Sequence, residues 1–193
     1  MELREEEQLV NAVRSAKDDF GHNYPKKFGG AVAVEILRRK LQCCSIASSR
    51  RDVFVRDVPV ETDLVIPYAG ERPLMELLYE PHQVAVALEV KKSGIFGARG
   101  IQAIRRSFNL LREKGVCCAY FTFEDMKGYK FAGTPESLGC RCFTMAWHKT
   151  SEGPFEPTEE WKAFVDFLRE RLEARDRGRA ARACRAAPEC PRR

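Results

Sequence analysis

Apolar positions along this chain follow two periods, and the switch between them outlines an α/β fold. Leu9, Val10, Val13 and Ala16 fall on one face of a helix drawn over Glu2 to Lys17, with acidic residues near its start that suit the helix dipole. Gly21 and Pro25 break the pattern, and Val32, Ile36, Leu37 and Leu41 resume it over Phe28 to Gln42. The period then shortens. Val53 and Val55, then Val58, Val60, Leu64, Val65 and Ile66, form β-branched runs that predict two strands joined near Asp57 to Pro59. Tyr68 to Pro81, holding Gly70, Pro73 and Pro81, reads as a connection with a loose helical turn. Val84 to Lys91 is nearly all Val, Ala and Leu, as a central strand buried on both faces requires. After a loop with Gly94, Gly97 and Gly100, Ile101, Ile104, Phe108 and Leu111 predict a helix that Gly115 ends. Strands are expected over Val116 to Phe123 and Arg141 to Trp147, and an amphipathic helix over Thr158 to Leu172, carrying Trp161, Phe164, Val165 and Leu168.

Length and charge refine this picture without changing it. At 193 residues the chain suits one core, so a single domain is expected over 1–174, followed by a basic, disordered Arg/Ala/Pro-rich tail over 175–193. The net charge of +5 is local, because from Arg169 onward nine arginines face only Glu170, Glu173, Asp176 and Glu189, leaving the body neutral. No apolar run approaches the roughly 20 residues of a membrane span. Met1 to Gln8 is acidic and lacks the features of a secretory signal, so a cytoplasmic protein with reduced thiols and no membrane association is expected. Cys43-Cys44 and Cys117-Cys118 lie in apolar segments and read as small buried hydrophobes. Cys140, Cys142, Cys184 and Cys190 would hold zinc only if the tail folded back, and their spacing is not the usual CxxC knuckle.

The ends of the strands carry the chemistry. Side chains alternate along Val84 to Lys91, so Glu89 and Lys91 share a face while Val90 points away. If the preceding strand pairs with this one, Asp63 brings a second carboxylate beside Glu89. Two neighbouring acids repel unless a cation lies between them. Magnesium takes hard oxygen ligands and keeps waters, so Asp63, Glu89 and the Val90 carbonyl make a half-shell whose open side could receive a phosphate. Lys91 is then placed to orient a water or neutralise an oxyanion.

At Thr62-Asp63 and Glu89-Val90-Lys91 the sequence resembles the PD-(D/E)xK, or restriction-endonuclease-like, nuclease superfamily, with Thr62 where the name-giving proline would stand. The resemblance spans Phe28 to Phe123. It implies a core of helix, three strands, helix and strand (αβββαβ), with a mixed central sheet flanked by helices, here followed by the C-terminal helix and basic tail. It also implies a Mg2+- or Mn2+-dependent nuclease hydrolysing phosphodiester bonds, with DNA favoured as the nucleic-acid substrate. By the same resemblance Asp63 and Glu89 bind metal, Lys91 assists the nucleophilic water, and Glu35 on the first core helix joins the site. Lys92, Arg99, Gln102 and Arg105 follow the motif strand or begin the next helix, where side chains and backbone N–H groups can meet phosphate. Some branches of the superfamily use a glutamine where Gln102 stands, but their aromatic partner one turn later is here Arg106. Cutting both strands of a duplex with one site per chain favours a homodimer.

Two further readings stand beside this one: a nucleic-acid-binding or scaffold protein that keeps the fold without turnover, and a zinc-stabilised interaction module built on the late cysteines. A nicotinamide site does not fit, because Gly94, Gly97 and Gly100 lack the GxGxxG spacing. His22, His82 and His148 stand far apart with no metalloprotease motif.

Overall fold

The computed structural model describes residues 3–21, 25, 27–94, 98–126, 138–148 and 154–186, excepting the side chains of 17, 98, 99, 126, 148 and 175–186. Two helices lead, α1 (Glu5–Phe20) and α2 (Phe28–Cys43), followed by four short strands, β1 (Val53–Val55), β2 (Glu61–Thr62), β3 (Leu64–Pro67) and β4 (Leu78–Tyr79). The long strand β5 (Val84–Ser93), helix α3 (Ala98–Glu113), strands β6 (Cys118–Met126), β7 (Arg141–His148) and β8 (Phe155–Pro157), and helix α4 (Glu160–Ala186) complete the order.

The main sheet runs β3-β5-β6-β7-β8. Its middle three strands are parallel, and an antiparallel strand flanks each side. Alternation divides most of its residues between two cores. Leu64 and Ile66 of β3, Val86, Leu88 and Val90 of β5, and Phe121 and Phe123 of β6 face α1, α2 and α4. Val65, Ala87, Cys118 and Tyr120 face the other way, toward Ile101, Ile104, Phe108 and Leu111 of α3 and toward a small sheet ordered β2-β1-β4. This is the mixed sheet flanked by helices that the resemblance implies.

Local chemistry sets the boundaries. Gly115, at φ +77°, takes the left-handed turn that ends α3, and its N–H and that of Val116 satisfy the Arg112 and Leu111 carbonyls. Glu6, buried, accepts the Trp161 N–H at 3.0 Å and so caps the start of α4 from α1.

Five points differ from expectation. β4 pairs with β1 where only a connection was expected, and β8 closes the far edge of the main sheet. The run from Val58 to Ile66 is not one strand, because β2 belongs to the small sheet and β3 to the large one. Helix α4 continues to Ala186, well into the segment read as a disordered tail, and 187–193 lie outside the described residues. Cys43 is exposed rather than buried, because its apolar neighbours Leu37 and Leu41 occupy the buried face of α2.

Phe164 is fully buried, its ring 4.8 Å from Phe121, 5.0 Å from Phe143 and 5.8 Å from Trp161. Phe164→Ala is expected to destabilise the protein by about 3–5 kcal/mol. Urea denaturation measures this as a lower midpoint with an unchanged slope.

Candidate active site

The chain changes sheets at Asp63. β2 ends at Thr62 in the small sheet and β3 begins at Leu64 in the large one, so Asp63 is the joint between them. Leu64 pairs with Leu88 in the antiparallel register, which sets Asp63 beside Glu89 across the two strands. By alternation Asp63 shares the face of Val65, and Glu89 and Lys91 share that of Ala87.

The three side chains meet. Asp63 Oδ2 accepts the Val90 N–H at 2.8 Å and the Lys91 Nζ at 3.1 Å. Lys91 Nζ also lies 2.5 Å from Glu89 Oε1. One ammonium thus bridges two carboxylates, and the trio carries one net negative charge when all are ionised. Their side chains are 26%, 18% and 29% exposed for Asp63, Glu89 and Lys91, so the cluster is partly desolvated yet reachable from solvent.

Burial, followed by repulsion from Asp63, holds the Glu89 carboxyl above the ordinary glutamate range despite the pull of Lys91. Burial works against the Lys91 ammonium, but Glu89 and Asp63 outweigh it and its pKa stands raised. Burial leads the first shift, and the two neighbouring acids produce the second.

The other predicted residues fall elsewhere. Glu35 sits on α2, which packs on the opposite face of the sheet, and its carboxylate is taken by Arg38 and Arg39, each at 2.7 Å. Those two guanidiniums, Arg38 first, hold it down at a pKa of about 2. Glu35 is therefore not brought to Asp63 and Glu89, because the arginines one turn along its own helix claim it. Lys92 points to the α2 side, where a Cβ added at Gly29 would lie 3.4 Å from its Cδ, so Lys91 and not Lys92 meets the acids. Val90 buries its side chain in the helical core. Gln102 and Arg105 lie exposed on α3, lining an open groove of about 370 Å³ with Arg106 and Asn109. Arg99 lies in α3 by its backbone, and its side chain is outside those described. Among the described residues no group of three or more His, Cys, Asp or Glu side chains is arranged to hold a metal ion, so the acids of this site number two.

Sequence reasoning passed over three neighbours. Tyr120 and Thr122 of β6 stand in register beside Glu89 and Lys91, and both are buried. Asp125, also buried, presses its carboxylate against Gly94, just past the end of β5, where a Cβ would meet its oxygens at 2.3 and 2.8 Å. The available signal was the pair Glu124-Asp125, two adjacent acids closing an apolar strand. Glu124 is held by Arg14 at 2.6 Å.

No family model matches the chain, and no curated protein does. Among solved structures it is similar to the cAAA-bound form of NucC from P. aeruginosa, at 10% identity over 90% of this chain and 91% of that one, with a TM-score of 0.50. It is also similar to the apo form of NucC from E. coli, at 11% identity over 90% and 92%, with a TM-score of 0.49.

Lys91→Met removes the cation between the acids, so Glu89 should hold its proton more tightly in the folded state. A raised folded pKa gives stability that is full below the unfolded value of about 4.3 and is lost as pH rises through the folded one. The deficit of this variant against the parent should therefore widen as pH rises above that unfolded value, as thermal melts would record. Gly94→Ala should cost about 1–3 kcal/mol in urea denaturation, since its methyl needs space that Asp125 fills.

Proposed function

The chain has a restriction-endonuclease-like fold, and on that premise we propose that it is a divalent-metal-dependent nuclease hydrolysing phosphodiester bonds, with DNA as substrate. The observation that carries this reading is the single ammonium shared by Asp63 and Glu89. NucC, whose fold the chain resembles, is a PD-(D/E)xK-type nuclease, which adds support.

The donor set fits a hard cation. Asp63 and Glu89 offer carboxylate oxygens on one face, and Lys91 shows that positive charge is favoured between them. In this reading the two acids and the Val90 carbonyl hold Mg2+ or Mn2+. The ion, when bound, supplies Lewis acidity toward a phosphate oxygen and lowers the pKa of a bound water.

The remaining work falls to the chain's own groups. The Val90 N–H holds Asp63 Oδ2 in place, so the carboxylate is oriented before any ligand arrives. Lys91, a short reach from both acids, keeps its proton at neutral pH and can donate to the attacking water or to a phosphate oxygen. Burial around Glu89 strengthens each of these interactions. On α3, Gln102 and Arg105 would contact the backbone of the nucleic acid, while Lys92 lies on the other face of the sheet. Two chains would together cut both strands of a duplex.

Supercoiled plasmid and single-stranded DNA, incubated with Mg2+, Mn2+ or chelator, test the proposal. Cleavage should require metal and should fall by at least about a hundredfold in Asp63→Ala and in Lys91→Ala. Cleavage that persists in both variants, or in chelator, would refute it. DNA binding without cleavage under every metal condition would instead favour a non-catalytic nucleic-acid-binding protein on the same fold.

A further inference from the structure

Away from the carboxylates, the first turns of β6 and β7 gather thiols and guanidiniums around one cavity of about 400 Å³. Arg112, Arg141 and Arg171 line it together with Cys117, Gly139 and Cys140, and no acidic side chain lines it among the described residues. Arg112 is anchored by neutral groups, donating to Asn109 Oδ1 at 2.9 Å and to the Leu138 carbonyl, with its guanidinium 3.3–3.5 Å from where a Gly139 Cβ would stand. Arg171 lies 5.4 Å over the Phe167 ring and Arg141 5.6 Å over that of Phe143. Arg141 also acts on Glu160. Arg112 and Arg171 are thus held by amide, carbonyl and aromatic groups, and with Arg141, which is shared with Glu160, they make the cavity electropositive.

Cys140 stands at the cavity wall, part exposed and free of any disulfide. The neighbouring Cys142 thiol foremost, then the Arg112 guanidinium and the Tyr120 backbone N–H, draw the Cys140 thiol below the ordinary range, and the Cys142 Sγ donates to the Cys140 carbonyl at 3.8 Å. Its neighbours behave oppositely. Burial pushes Cys117 up and takes Cys118 to about 12. Of the three thiols that line the cavity, Cys140 is the one drawn toward the thiolate. Of the four late cysteines, the side chain of Cys184 and all of Cys190 lie outside the described residues, and among the described residues no thiols form a metal group.

We propose that this cavity binds a small anionic disulfide, of the class of oxidised glutathione, through Arg112, Arg141 and Arg171, and that Cys140 exchanges with it to form a mixed disulfide. The Cys140 thiolate attacks one sulfur of the ligand, a Cys140–S–S bond forms, and the original S–S bond breaks. The other half leaves as a thiolate, which takes a proton from solvent. The Cys140 sulfur is oxidised and the departing sulfur reduced, so electrons balance without another reactant. The site shares no residue with the metal cluster, so its failure and that of the nuclease reading are separable.

Full-length reduced protein is treated at low ionic strength with oxidised glutathione (anionic), 2-hydroxyethyl disulfide (neutral) or cystamine (cationic), and adducts are followed by intact-mass and peptide-mapping mass spectrometry. Cys140 should be the first residue modified, at least about tenfold faster with oxidised glutathione than with cystamine, and added salt should erode that ratio. Arg171→Gln should bring the two rates together while leaving that of the neutral disulfide unchanged. Equal rates for the three reagents in the parent protein, or modification of exposed Cys43 ahead of Cys140, would overturn the proposal.

Discussion

Two carboxylates cannot both ionise side by side in a half-buried site without a positive charge between them. Unit charges about 5 Å apart repel by roughly 3 kcal/mol at an effective dielectric near 20, a sizeable share of what holds a domain folded. Asp63 and Glu89 meet this constraint through Lys91, two residues beyond Glu89 on the same face of β5. The lysine makes the acids tolerable, and they keep it protonated. On the proposed function, a divalent ion held by the two acids would ease the same repulsion.

Glu35 and Glu89 show how far surroundings decide what a carboxylate can do. Glu35 lies between two arginines on its own helix and stays ionised deep into acid. Glu89 is enclosed by strands and faces another acid, and its proton affinity moves the other way. The first is satisfied within its own helix, whereas the second still has capacity for a ligand. That contrast separates a structural ion pair from a carboxylate that, on the proposed function, has chemistry left to perform.

Long periodic elements were legible in the sequence: α2, β5, α3 and α4 were each anticipated, because burial of one helical face or of both strand faces leaves a pattern that composition cannot hide. Alternation likewise puts Glu89 and Lys91 on one face. The short strands were not legible. β4 follows a tight turn with positive φ at Met75 and Glu76, where neither Gly nor Asn marks it, and β8 has three residues. Glu35 was misjudged because a helical position says nothing of which side of the sheet the helix will cover. Gly94 and Asp125 went unseen because their contact joins residues thirty-one positions apart by number, with no motif to announce it.

β3 is the outermost strand of its sheet on that side, yet its far edge is not bare. Ser49 donates its N–H to the Val65 carbonyl at 2.7 Å and accepts the Val65 N–H through its hydroxyl at 2.8 Å, while the Asp52 N–H reaches the Asp63 carbonyl at 3.3 Å. A strand held from both flanks cannot slide by one position against its neighbour. Such a slip would swing Asp63 to the helical face and bury its charge among Leu and Phe, so segment 49–52 acts as a ratchet on the geometry of the acids while sealing an edge on which foreign strands could otherwise template.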